Sequence, residues 1–377
     1  MLTLWTTVLS LDQTCPVRRV ITYNTALLDH SLNGIQNNRI ERLDAIIQAI
    51  EKVDADLVCL QEVWIGQDVE RMTHALKQQY PYSFSKIHVG GVLPSQELAR
   101  ENPPCDTAQL SLFIWCASDN KCMKKKPEKT FQCLQKNCFP FYVQLPQKCI
   151  TCVVATMNFL KPFEIFPKCA YSKFPTPDSF TVNEPGLLLL SKLPIAEAGY
   201  TEYHPKTRCF IERGYLEANM VELGKVVCTH NTHYPEHYFE MDHIAIGTHA
   251  SYLEQGIDER NQLIRNFGYV APLIILGDFN VGGATGPFIN DDLPEEFDRL
   301  CLYFDILPAT QCSLCWPHEN PYNKIGSATL NVVVDHIFFK GLTALKTERV
   351  ITPHEFVLPS LLPLSNHNGV MTTLKTC

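Results

Sequence analysis

Apolar residues return along this chain with two periods. Between residues 39 and 52, Ile40, Leu43, Ile46, Ile47 and Ile50 recur at helical spacing, which predicts an amphipathic helix. Residues 67–79 read as a second helix that stops before Pro81, residues 251–267 as a third and residues 294–302 as a short fourth. Short apolar, β-branched runs read as strands at 19–23, 56–60, 186–191, 226–229, 273–276, 330–339 and 369–374. Residues 84–89 read as a further strand, and 208–216 with 218–223 as a strand pair. Strands alternate with a few helices and no internal repeat appears, so two sheets covered by helices is the natural architecture.

One segment breaks the pattern. Composition shifts at Asn102-Pro103-Pro104, and residues 105–169 are rich in cysteine, lysine and aromatics. An apolar stretch at 149–166 carries Phe159, Phe163 and Phe166, and a Pro/Ser/Thr linker follows at 171–184. The chemistry-bearing segments described below lie on both sides. Residues 18–377 therefore read as one domain interrupted by the 105–169 insert. Residues 1–17 are apolar but lack a basic start, and read as a signal remnant or a lead-in strand.

With 377 residues, 45% of them hydrophobic, the chain can bury a large core. The formal charge of −8 argues against a nucleic-acid partner, although a local basic patch or a metal can supply positive charge. Such a patch exists: residues 121–148 hold seven lysines against one acid, Glu128. Eight of the sixteen cysteines fall between 105 and 169. A clustered, even set reads as a disulfide framework made in an oxidising compartment, hence a secreted or extracytoplasmic protein. The C-x-x-C pairs Cys149/Cys152 and Cys312/Cys315 raise a competing zinc reading, but neither has a partner pair at zinc-ribbon spacing. Cys59 and Cys228 sit inside apolar strands and read as buried free thiols. No apolar run is long enough to span a membrane.

Five scattered segments put metal-ligand or proton-transfer side chains at strand ends and turns: Tyr23-Asn24-Thr25, Leu60-Gln61-Glu62-Val63, Gly277-Asp278-Phe279-Asn280, Val334-Asp335-His336 and Ser365-Asn366-His367. Glu62 offers oxygen ligands to Mg2+, and Asn24 could orient that carboxylate or touch the metal itself. Asp278 and Asn280 follow four aliphatics and a glycine, and can face one site. An Asp335–His367 pair would fix one imidazole tautomer so that the other nitrogen takes a proton from water. His230 and His233, in Thr229-His230-Asn231-Thr232-His233, are alternative donors to a phosphate oxygen, and spacing does not choose between them. Arg213 could clamp a phosphate or sit in a surface ion pair.

Together these segments resemble the motif set of the endonuclease/exonuclease/phosphatase superfamily, which includes DNase I-like nucleases and neutral sphingomyelinases. The matching stretches are 18–100 and 185–377. The resemblance implies an α+β fold, a four-layer αββα sandwich of the DNase I type, here carrying a disulfide-stapled, Cys-rich insert. It implies Mg2+ dependence, with Mn2+ or Ca2+ as substitutes, and attack of water on phosphorus. Glu62 then looks like the metal carboxylate with Asn24 assisting; Asp278 and Asn280 position water and transition state. His367 looks like the general base oriented by Asp335, and Thr-His at 229–230 is preferred over 232–233. The family pattern Ser-Asp-His before the last strand departs to Ser-Asn-His here, so Asn366 brings an amide oxygen in place of a carboxylate near the metal. The segment at 186–195 and Arg213-Gly214 are similar to the sphingomyelinase branch. The leading expectation is thus an exported, monomeric phosphodiesterase acting on a phospholipid head group, touching the membrane through residues 121–166. The alternatives are a secreted DNase I-like endonuclease and a catalytically impaired binding protein.

Overall fold

The computed structural model describes residues 15–27, 38–87, 103–122, 127–156, 165–170, 182–204, 212–232, 249, 251–316, 319–320, 331–358 and 362–376. Their strands are β1 (Val17–Asn24), β2 (Leu57–Gln61), β3 (Tyr82–Phe84), β4 (Leu188–Ser191), β5 (Ile195–Glu202), β6 (Gly214–Met220), β7 (Gly224–His230), β8 (Leu273–Asp278), β9 (Asp305–Ile306), β10 (Asp335–Lys340), β11 (Thr343–Val350) and β12 (Gly369–Lys375). Their helices are α1 (Arg39–Val53), α2 (Gly66–Ala75), α3 (Thr107–Asp119), α4 (Pro127–Tyr142), α5 (Gln147–Thr156), α6 (Ile165–Cys169), α7 (Tyr252–Phe267) and α8 (Pro294–Cys301). One sheet runs β11-β12-β1-β2-β4-β3 and the other β5-β6-β7-β8-β10-β9. Each has a parallel pair at its centre, β1 with β2 and β7 with β8, flanked by antiparallel neighbours.

Strand periodicity sorts the core into layers. Along β1, β2 and β8 successive side chains face opposite ways, and both faces are apolar. Val20, Leu57, Ile274 and Leu276 pack between the sheets with Leu189, Leu216 and Val226. Ile21, Val58 and Leu60 face out and are covered by Leu43, Ile46 and Ile50 of α1 and Val69 and Met72 of α2. Leu273 and Ile275 face out of the second sheet, under Leu263 and Phe267 of α7 and Phe297 and Leu300 of α8. The result is the four-layer αββα sandwich that the motif resemblance implies.

Residues 105–170 form their own layer of helices around Leu110, Phe113, Leu134, Ile150, Val153 and Ile165. Four disulfides staple them: Cys105–Cys149, Cys116–Cys138, Cys122–Cys133 and Cys152–Cys169. The two cysteines of Cys149/Cys152 thus go to different partners, and Cys312 pairs with Cys315, so the zinc reading of both C-x-x-C pairs is replaced by disulfides. The reading of Cys59 and Cys228 as free thiols is also corrected. They are bonded to each other across the sandwich, from β2 to β7, over a sequence separation of 169. Six disulfides among the described residues point to folding in an oxidising compartment. Among those residues no helix is long and apolar enough to cross a membrane.

Several element boundaries move. The strand expected at 84–89 is β3, two residues earlier, and residues from 88 on lie outside the described set. Residues 208–211 of the expected pair lie outside the described set, and the described part holds one strand, β6; its partner β5 is half-exposed and polar and so carries no apolar run. β11 gives no apolar run for the same reason: it is a partly exposed edge strand. The run before Asp335 is not strand. Val332 bonds to Leu314, and the Val334 amide goes to the Ser313 hydroxyl at 3.0 Å. Asp335 therefore begins β10 and does not end a strand. The residue 1–17 expectation lies largely outside the described residues; Val17 already belongs to β1.

Candidate active site

Register collects the site. Because β1, β2, β7 and β8 run the same way within their pairs, Asn24 and Gln61 are paired at the ends of β1 and β2, and His230 pairs with Asp278 at the ends of β7 and β8. β10 is antiparallel to β8, so its first residue, Asp335, is opposite Asp278, the last residue of β8. Asn24 spans the two sheets: its Nδ2 donates to Glu62 Oε1 at 3.2 Å and to Asp278 Oδ2 at 3.0 Å. His367 Nδ1 lies 2.8 Å from Asp335 Oδ2, and its Nε2 lies 4.0 Å from Asp278 Oδ2. His230 Nε2 approaches the same Asp278 oxygen from another side at 3.5 Å. Six of the residues expected from sequence, Glu62, Asn24, Asp278, Asp335, His367 and His230, thus form one connected cluster.

The remaining expectations separate. Asn280 holds the Asn231 carbonyl through its Nδ2 at 2.9 Å, and its backbone amide donates to Asp278 Oδ1 at 3.0 Å. It fixes the two loops beside Asp278. Asn366 is half-buried, and its Oδ1 accepts from Ser365 Oγ at 3.3 Å. The Arg213 guanidinium donates to His230 Nδ1. Arginine has no acceptor, so His230 carries its proton on Nε2, the nitrogen aimed at Asp278. Arg213 is placed as a holder of His230. His233 lies outside the described residues.

Charge and strain concentrate here. Burial pushes the Asp278 carboxyl up to about 7, and the Asp335 charge adds to the rise. Burial alone would depress His367, but the carboxylates of Asp335, Asp278 and Glu62 outweigh it and lift the ring to about 9. The backbone is left-handed at Glu62 (φ 60°) and Asn280 (φ 51°), a conformation that side chains other than glycine adopt rarely and at a cost. Both residues follow a strand end, so the chain turns sharply just where their side chains leave it.

The donor set fits a hard divalent cation. The Asn24 Oδ1 accepts from the Ala26 amide at 3.1 Å, which commits its amino group to the carboxylates. Asn24 therefore orients Glu62. Glu62 Oε1 and Asp278 Oδ2 share that one amino group, so two carboxylates converge on one point, with Asp335 and His367 beside Asp278. Buried Asp335 Oδ1 is left without a hydrogen-bond partner. Oxygen donors of this kind suit Mg2+, and also Mn2+ or Ca2+.

Several supports were not read from sequence. Buried Arg42 on α1 ties the loop after β1 to the loop before β12, donating to the carbonyls of Thr25, Ala26 and Leu364 at 2.7–3.1 Å. Buried Glu259 on α7 holds Thr232, two residues past His230, through its amide and its hydroxyl, both at 2.6 Å. Each is a charge on the apolar face of its helix, Arg42 four residues before Ile46 and Glu259 four before Leu263, and that misplacement was the available signal. Ser313 gives no such signal. Its hydroxyl accepts from the Val334 and Asp335 amides at 3.0 and 3.1 Å, and its carbonyl from the Asn368 amide at 2.8 Å.

The insert returns to the sheet beside Glu62. Val63 donates to the Gly186 carbonyl at 2.9 Å and Asn183 to the Trp64 carbonyl at 2.8 Å. Gly186 has φ 79°, and a Cβ there would meet the Trp64 ring at 2.9 Å, so only glycine lets this junction close.

The model of the Endonuclease/Exonuclease/phosphatase family matches residues 21–367. No curated protein sequence matches the chain significantly. Among solved structures, sphingomyelinase C from Streptomyces griseocarneus is similar with a TM-score of 0.50 at 14% identity, over 95% of this chain and 99% of that one. The endonuclease/exonuclease/phosphatase from Bacteroides vulgatus gives a TM-score of 0.50 at 14% identity, over 96% and 100%. D. rerio TDP2 complexed with single strand DNA product gives 0.50 at 12% identity, over 96% and 99%. At these identities the likeness is one of fold.

Proposed function

Since this chain belongs to the endonuclease/exonuclease/phosphatase family, we propose that it is a metal-dependent phosphodiester hydrolase whose water nucleophile is activated by His367. The observation that carries this is the Asp335–His367 pair with its free ring nitrogen facing Asp278, which Asn24 joins to Glu62. Glu62 and Asp278 would hold the cation, with the half-buried Asn366 offering an amide oxygen. A bound Mg2+ supplies Lewis acidity at a phosphoryl oxygen. Asp335 accepts the Nδ1 proton of His367, which fixes the tautomer. His367 Nε2, unprotonated once a cation offsets the neighbouring carboxylate charge, would then take a proton from water as the water oxygen bonds phosphorus and the P–O bond to the leaving group breaks. His230, held by Arg213, points an Nε2–H to meet charge growing on the phosphoryl group. Asn280 fixes the loops on either side of Asp278.

The substrate we propose is a phospholipid head group, met outside the cell by an exported monomer. The insert supports this reading. Trp115, 63% exposed, and Leu112 stand out from α3, and Phe139 from α4. Exposed Lys121, Lys136 and Lys148 lie on the same insert. Apolar anchors with basic neighbours suit an anionic or zwitterionic membrane surface. Within the contact expected at 121–166, Ile150, Val153 and Ile165 are buried inside the insert, and Phe159 and Phe163 lie outside the described residues.

The test is hydrolysis of sphingomyelin, lysophospholipid, DNA and RNA, each with Mg2+ and with EDTA. Release of a phosphorylated head group that needs metal supports the proposal. Nicking of DNA with lipid untouched would give the site to a nuclease, and inertness toward all four would make the chain a binding protein.

A further inference from the structure

A second cluster of metal-ligand atoms lies at the end of β5, away from the Glu62–Asp278 pair. His204 follows β5, Asp258 is on α7, and His249 is in the chain just before α7 begins. His204 Nδ1 is 3.4 Å from His249 Nε2 and 3.8 Å from Asp258 Oδ2, and His249 Nε2 is 3.9 Å from that same oxygen. Three donors bound tetrahedrally to Zn2+ at about 2.0–2.1 Å stand roughly 3.4 Å apart, close to this triangle.

The surroundings are those of a metal-binding histidine. The other nitrogen of His204, Nε2, lies 3.5 Å from Oε1 of Glu259, a carboxylate with no exposed surface. A carboxylate behind a ligating imidazole fixes its tautomer and raises its basicity. Gln262 on the next turn of α7 donates to Asp258 Oδ2 at 2.9 Å and to the Tyr203 carbonyl at 3.0 Å, which locks the helix to the end of β5. Two of the three donors therefore sit on rigid elements, and His204 is buried.

We propose that His204, His249 and Asp258 form a site for a borderline divalent metal, Zn2+ foremost, with the fourth position open to water or a further ligand. Two imidazoles and one carboxylate select against Mg2+, which favours oxygen and six-fold coordination. The metal fastens the approach to α7 onto β5. Through Glu259, which also grips Thr232 just past His230, it steadies one wall of the candidate active site.

The full chain, stripped with chelator and dialysed, is titrated with Zn2+ and separately with Co2+ in excess Mg2+. Metal content, the visible bands of tetrahedral Co2+ and thermal unfolding are followed. One Zn2+ per chain is expected, with a rise in Tm. In His249→Ala and in Asp258→Asn, both at partly exposed residues, the affinity should fall by about tenfold or more and the Co2+ bands should fade. In Glu62→Gln both should persist. No Zn2+ bound in excess Mg2+, binding unchanged in His249→Ala and Asp258→Asn, or binding lost only in Glu62→Gln would each overturn the proposal. None of these readouts depends on hydrolytic activity, so they stand apart from the function proposed above.

Discussion

His367 and His336 are both buried, yet their basicities move in opposite directions. Burial pushes His336 down to about 4, more than the Val281 carbonyl at 2.7 Å and the Asp335 charge offset. His367 meets three carboxylates and rises. For His336 the folded value lies below the ordinary 6.5, so the unfolded chain binds the proton first. Its effect on stability is nil above about pH 6.5 and grows as pH falls toward 4, where it costs about 3 kcal/mol. We expect His336→Gln to flatten the loss of unfolding free energy between those pH values, measured by urea titration against the native protein. His367→Ala should lower kcat by about 100- to 10,000-fold in a phosphodiester assay, with little change in Tm. Asn366→Asp would restore the family carboxylate, and the Mg2+ concentration giving half-maximal rate should drop. At this scale the sequence showed most of the cluster, because a carboxylate or amide after an apolar run is conspicuous. It did not show that Asn24 turns its amino group inward, which depends on Asp278, 254 residues away, or that Arg213 holds His230, which depends on the pairing of β6 with β7.

Among the elements, the Cys312-Ser313-Leu314-Cys315 turn does more than its composition suggests. Ser313 ties down Asp335 and Asn368 together, and Leu314 bridges to both Val332 and His367. The proposed general base and its orienting carboxylate are thus set by one disulfide-closed turn. Ser313→Ala leaves two buried amides without their acceptor, at a cost of about 1–3 kcal/mol. We expect kcat to fall while KM changes little, which steady-state kinetics on the folded variant would check. Nothing in four residues of sequence revealed this role, and a zinc pair was the competing reading. The strands with apolar faces on both sides, β1, β2, β7 and β8, were legible because burial on two faces leaves a continuous apolar run. β5 and β11 were not, since partly exposed strands at sheet edges keep polar side chains.

For the molecule as a whole, the Cys59–Cys228 bond joins the two sheets through a core where neither sulfur's residue is exposed. It closes a long loop, so replacing both cysteines by serine or alanine should cost about 2–5 kcal/mol, read from denaturant midpoints under oxidising conditions. The four-layer plan was legible from alternating strands and helices together with the motif order. The insert was legible as a cysteine framework, but the four helices among its described residues and its pairing pattern were not, since connectivity does not follow from spacing. Its root is what ties it to chemistry: residues 182–186 lie on 63–65, directly after Glu62. The surface proposed for membrane contact, at Trp115 and its neighbours, thus belongs to a disulfide-stapled unit rooted beside Glu62. If the substrate is the proposed phospholipid, a lipid patch held there would present successive head groups at high local concentration, and many would be cleaved in one landing.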